Sequence, residues 1–322
     1  MTADIARGLA ALTWHPHVTA SDVGGTVCDQ KHRRDCSGDN LPTQRGVRVD
    51  SKAVIRHQTL TNRGGSVASA ALDEATYHAG LLESTERIAE ILTSAAPALR
   101  VTTCPDWTLS ELALHVGRAH RWAQRIIETR AQKPIDMSAV DMGLPATTTR
   151  YGAWLCSGAT AFSAAVQFAG IRTPVWSWSD NQSVGFWLRK ITHDTIIHRI
   201  DAELTVGLRP SLSPQMASDG VADLLAAITT LSTVGHPDPI FEGLRGLGET
   251  LQLQATDTAD EWFVTRMPEG VRWTSGRGEA DAIVRGSAFD LLLALYRRAP
   301  IHVVDVMGDE SLVVHWIAHS SF

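Results

Sequence analysis

From about residue 71 onward, apolar positions recur with a helical period and then with a strand period; before it they do neither. Leu81, Ile88 and Leu92 are spaced as one helix face, charges fill the gaps and Pro97 closes the run, which predicts a helix over 71–96. A short loop, 101–107, follows. Thr108 with Glu111 three residues on reads as a capping box opening a second helix to about residue 130. At 100° per residue Leu112, Val116, Ala119, Ala123 and Ile126 share its apolar face, and His115 falls among them. A third helix is expected over 148–169, with Gly170 suited to its C-terminal turn. A fourth runs from Ser183 to about Gly207, with Trp187, Ile191, Asp194, His198 and Ala202 inward and His193 outward. Four such helices with short to medium connections predict a bundle.

After Pro210 the period changes. Ser213-Pro214 has the form of an N-cap followed by proline at the first helical position, opening a helix to about residue 230. Alternation then marks strands around Leu251–Ala255 and Trp262–Val264; Gly270–Ser275 and Ala282–Gly286 are further strand candidates, and a strand is expected at Ile301–Val306. Helices are expected from Ser287 or Asp290 to Arg298, and from Asp309 to the end. The fold class is therefore α with a smaller α+β domain: a bundle over 71–210 and an α+β domain over 211–322.

Composition changes the picture at the N-terminus. The overall charge of −6 hides a net of +3 over residues 1–70 and −9 over the rest. The first stretch has one aromatic residue of the Trp, Phe and Tyr group, Trp14, and too little apolar surface to offset its ordering entropy. It is expected to be a disordered leader or a misplaced translation start, with Val67 a candidate initiator. No basic block suggests nucleic acid, and no apolar run reaches the roughly 18 residues of a membrane span. His315 and His319 are four residues apart within the last eight residues, where fraying is usual, and are expected to be a solvated end. The cysteines match no zinc-finger spacing, and a reduced, cytoplasmic chain is the expectation.

The candidate chemistry is polar and sits on apolar helix faces. Asp194 and His198 are four residues apart and stack on one side of the fourth helix; His115 projects from the core face of the second. One carboxylate and two imidazoles make a three-ligand set with an open fourth position, suited to zinc and equally to nickel, iron or manganese. Hydrogen-bonded core histidines are the plain alternative. Asp201, three residues beyond His198, can orient that ring or replace Asp194 as the carboxylate ligand. No Walker loop and no nucleophile elbow occurs. The Trp-rich stretch 176–187 reads as core.

T-C-P-D-W at 103–107, E-L-A-L-H at 111–115, V-W-S-W at 175–178 and G-F-W-L-R-K-I-T-H-D-T-I-I-H-R-I-D-A-E at 185–203 stand in an order that resembles the mycothiol-dependent maleylpyruvate isomerase family of actinobacteria. The resemblance spans roughly 72–320. It implies a DinB-like four-helix bundle followed by a sterol-carrier-like α+β domain. It also implies a divalent metal, usually zinc, on His115, Asp194 and His198, with mycothiol as the thiol co-substrate. Aspartate stands at 194 where the family carries glutamate, one methylene longer. The apolar helix ending L-L-L-A-L-Y-R-R at 291–298 implies that Arg298, or else Arg297, faces the active site and holds a substrate or cofactor carboxylate. The implied reaction is thiolate addition to a small electrophile, giving cis-trans isomerisation or, if the thiol stays attached, S-transfer. A non-catalytic small-molecule or partner-binding protein on the same fold remains the alternative, and a metal hydrolase a third.

Overall fold

A computed structural model describes residues 72–233 and 239–320; the basic leader lies outside the described residues. The predicted helix signals form helices with the ends the sequence writes. Helix α1 (Glu74–Ser94) starts at Asp73, whose side chain accepts from the Thr76 amide at 2.8 Å. Helix α2 (Leu109–Glu128) carries the expected capping box. The Glu111 carboxylate accepts from the Thr108 amide at 2.7 Å, and the Thr108 hydroxyl accepts from the Glu111 amide at 3.3 Å. Helix α3 (Tyr151–Ala169) is preceded by one 3-10 turn and ends at Gly170, whose φ of +82° favours glycine. Helix α4 (Val184–Thr205) is capped by Ser183. Helices α1 to α4 pack as a bundle around an apolar centre that includes Leu81, Trp122, Phe162 and Trp187. Each of these side chains contributes about 1.5–3 kcal/mol by leaving water. The Trp-rich stretch is core, as expected: the Trp187 indole donates to the Trp176 carbonyl at 2.7 Å.

The loop expected at 101–107 is instead a tight hairpin. Strand β1 (Arg100–Val101) pairs antiparallel with β2 (Cys104–Thr108), which runs straight into α2. Strands this short carry too few residues for alternation to show.

Helix α5 (Pro214–Thr233) packs against α4 on one side and the second half of the chain on the other. A five-stranded sheet follows, in the order β5-β4-β3-β6-β7. Its strands are β3 (Thr250–Ala255), β4 (Glu261–Met267), β5 (Gly270–Ser275), β6 (Ala282–Gly286) and β7 (Asp305–Gly308). Only the β3–β6 pair is parallel, with Leu253 opposite Val284. Helices α6 (Ala288–Leu295) and α7 (Glu310–His319) complete the α+β part.

Four expectations are corrected here. The strand expected at 301–306 begins only at Asp305, because Pro300 opens a 3-10 turn closed by the Val303 amide on its carbonyl at 3.1 Å. The helix expected to reach Arg298 stops at Leu295, and Arg297 takes φ +57° just beyond it. His315 and His319 are not a solvated end: the His315 Nε2 lies 2.7 Å from the Gly243 carbonyl, and the two rings stack 4.2 Å apart. His193 does not face solvent. It is 2% exposed, and its Nε2 lies 2.6 Å from Asp219 of α5. The reason is that α4 is covered on both sides, so no face of it is left to water. Beside it Arg189 pairs with Asp219 and Asp223, and Lys190 reaches Asp223 at 3.2 Å. No described helix is long and apolar enough to cross a membrane.

Candidate metal centre

The capping box fixes where α2 begins, and therefore which way His115 points two turns later. Asp194 and His198 lie one turn apart on α4, which packs against α2. The two helices bring the three predicted residues together: one ligand-type atom from each lies within 4.8 Å of the others. Nε2 of His115 stands 3.8 Å from Asp194 Oδ2, and Nε2 of His198 stands 3.9 Å from Asp194 Oδ1. Those gaps exceed a hydrogen bond. They are a few tenths of an ångström wider than the roughly 3.4 Å between ligands around a tetrahedral zinc with bonds near 2.0–2.1 Å.

Asp194 Oδ2 is buried and has no hydrogen-bond partner among the described residues. An interior carboxylate oxygen left this way is costly unless something cationic meets it. Burial alone would raise the Asp194 carboxyl, but the imidazoles of His115 and His198 and the Lys190 ammonium outweigh it and hold it below the usual carboxylate range. A carboxylate with one buried, unpartnered oxygen between two imidazole nitrogens fits a divalent cation.

Asp201 stands on the other edge of His198. His198 Nδ1 lies 3.1 Å from its Oδ2 and donates to it, so that a neutral His198 carries its lone pair on Nε2, the nitrogen facing Asp194. Asp201 is fully buried and held from three sides. Arg298 forms a two-pronged pair with it, Nε to Oδ1 at 2.8 Å and Nη2 to Oδ2 at 2.9 Å, and the Thr103 hydroxyl donates to Oδ1 at 2.5 Å. Burial would raise its carboxyl; Arg298 and His198 draw it well down. The Arg298 side chain is 5% exposed, so the guanidinium faces Asp201 and not solvent. Its Nη2 also lies 3.2 Å from Cys104 Sγ. Burial, reinforced by Asp201, pushes the Cys104 thiol up to about 11, so it stays protonated near neutrality.

The residues that the sequence reading left without a role are those of the hairpin. Thr103 and Cys104 touch Asp201, and the Trp107 indole lies against both imidazoles. The signal was present in the T-C-P-D-W motif, but no spacing rule says what a short hairpin will lean on.

Residues 78–203 match a family described as the mycothiol maleylpyruvate isomerase N-terminal domain. No curated protein sequence matches the chain. Among solved structures, one described as a mycothiol-dependent maleylpyruvate isomerase is 13% identical and aligns over 73% of this chain and 93% of its own, with a TM-score of 0.48. A ubiquinone synthesis protein described as UbiJ-SCP2 is 19% identical over 35% of this chain and 93% of its own, with a TM-score of 0.26.

Proposed function

We propose that this chain, whose residues 78–203 match the family described as the mycothiol maleylpyruvate isomerase N-terminal domain, is a metal-dependent enzyme that uses mycothiol to act on a small electrophile. The observation that carries the reading is the Asp194 carboxylate, 13% exposed, set between His115 Nε2 and His198 Nε2 at 3.8 and 3.9 Å. His115, Asp194 and His198 would hold the ion, with zinc the best suited to this donor set. A divalent cation there stabilises a thiolate over a thiol near neutral pH.

The protein's own residues then do three things. The two imidazoles and the carboxylate fix the position of the charge. Asp201 keeps His198 in the tautomer with its lone pair inward. Arg298, supplied by the α+β domain (211–322), holds Asp201 and so ties that domain to the bundle (71–210). Cys104, with its raised pKa, is unsuited to act as the nucleophile, which fits an external thiol. Cis-trans isomerisation and S-transfer share the addition step; isomerisation is favoured because the domain family carries that activity in its name.

The test is elemental analysis and zinc titration of the full chain, followed by assay with mycothiol and maleylpyruvate. The expected result is a single zinc per chain, with mycothiol-dependent loss of the cis substrate. A chain that takes up no zinc overturns the metal reading. One that takes up zinc but leaves both thiol and substrate unchanged supports the binding-protein alternative, which the aspartate at 194 favours. Asp194→Glu sharpens the test. The extra methylene closes the gaps to both imidazoles, so zinc is expected to bind about tenfold more tightly, or roughly 1.4 kcal/mol, by competition with a chromophoric chelator. Unchanged or weaker binding would mean that the carboxylate already reaches the ion through backbone shift.

A further inference from the structure

Trp107 is the one residue of the 103–107 motif whose side chain faces neither solvent nor Asp201. It is 6% exposed and lies in the strand that leads directly into the capping box of α2. Its indole centroid is 4.8 Å from that of His115, with the planes inclined 42°, and 5.6 Å from that of His198, inclined 35°. The two imidazoles are themselves 4.8 Å apart at 75°. A single rigid ring therefore touches both nitrogen ligands.

An imidazole turns easily about its χ2 bond, because such a torsion is broad and roughly two-fold. For His198 that rotation is checked at one edge by Asp201. A flat aromatic surface against the rings checks it at the face. Aromatic pairs at these separations contribute about 0.5–1.5 kcal/mol beyond their buried area. The hairpin thus acts on the centre twice: Thr103 and Cys104 at Asp201, and Trp107 at the ligands themselves.

We propose that Trp107 is a positioning residue for both imidazole ligands, so that metal affinity depends on an indole that does not itself bind the ion. The proposal rests on the metal reading above. Contacts with a ligand's outer side typically set metal affinity by about 10–100-fold.

Zinc affinity and thermal stability of the metal-free full chain are measured for wild type, Trp107→Leu and Trp107→Phe. Trp107→Leu is expected to weaken zinc by about 10–100-fold; Trp107→Phe, which restores a flat face, is expected to recover most of that loss. Equal zinc affinity in all three proteins, whatever happens to the melting temperature, overturns the proposal and reduces Trp107 to core packing. Absence of zinc binding by wild type is a different failure, that of the metal reading itself. If Trp107→Leu does not fold, wild-type chain labelled with 5-fluorotryptophan decides. Of its ten tryptophans, the one assigned to position 107 through the Phe variant is expected to broaden most when cobalt(II) replaces zinc. If the position 107 resonance is untouched by cobalt, the proposal fails.

Discussion

His198→Ala is expected to abolish measurable zinc binding. The loss should exceed the roughly 10–100-fold that removal of an outer contact costs, because on the proposed reading an inner ligand disappears. The same change also strips Asp201 of one hydrogen-bond partner and leaves Asp194 with one imidazole instead of two. His115→Ala removes the other imidazole but leaves the Asp201–Arg298 pair intact. The two variants are therefore expected to lose zinc alike and to differ in stability without metal. Isothermal titration with zinc, paired with thermal denaturation of the chelator-treated chain, reads both quantities. Zinc binding at wild-type strength in either variant would show that the ion sits elsewhere.

Arg298→Ala is expected to destabilise the fold by about 3–5 kcal/mol, since it leaves the fully buried Asp201 carboxylate without its cation. For a body of this size that is on the order of a 10 °C fall in melting temperature. Arg298→Lys should recover only part of it, because an ammonium lacks the planar fork that meets both carboxylate oxygens.

The pH dependence has a definite sign. Asp201 titrates lower in the folded chain than unfolded, so its contribution is present above about pH 4, the unfolded value, and is lost as pH falls below that toward the folded value. Without Arg298 the Asp201 carboxyl rises, that contribution shrinks, and acid unfolding begins at higher pH. An acid transition unmoved by Arg298→Ala, as followed by circular dichroism, would show that the pair contributes nothing to folding. Zinc affinity should also fall in this variant, because a less firmly held Asp201 orients His198 less well.

Residues with short-range signatures were legible in advance. Thr108 and Glu111 announced the start of α2, Ser183 that of α4, and the 100° wheel put His115, Asp194 and His198 on inward faces. Strands β3 and β4 fell where alternation put them. His315 was misread because a chain end was taken to fray, whereas its ring meets the Gly243 carbonyl; His193 was misread for another reason. Helical spacing reports which residues share a face, but not how many faces the rest of the chain will cover. Helix α4, wrapped by the bundle and by α5, has no outward side, so a histidine on its supposedly wet face became the partner of Asp219.

The sequence by itself determined the starts of α2 and α4, the two periodicities and the three candidate ligands, because each depends on residues within a few turns of one another. Tertiary structure alone decided that His115, Asp194 and His198 converge, that Asp201 meets His198 from behind, and that Arg298 reaches across 97 positions to hold it. It also decided that a nine-residue hairpin, 100–108, leans on the centre. These contacts join segments whose separation along the chain leaves no periodic trace. Their chemistry follows from burial, which makes each charge near the site costly unless another part of the fold meets it.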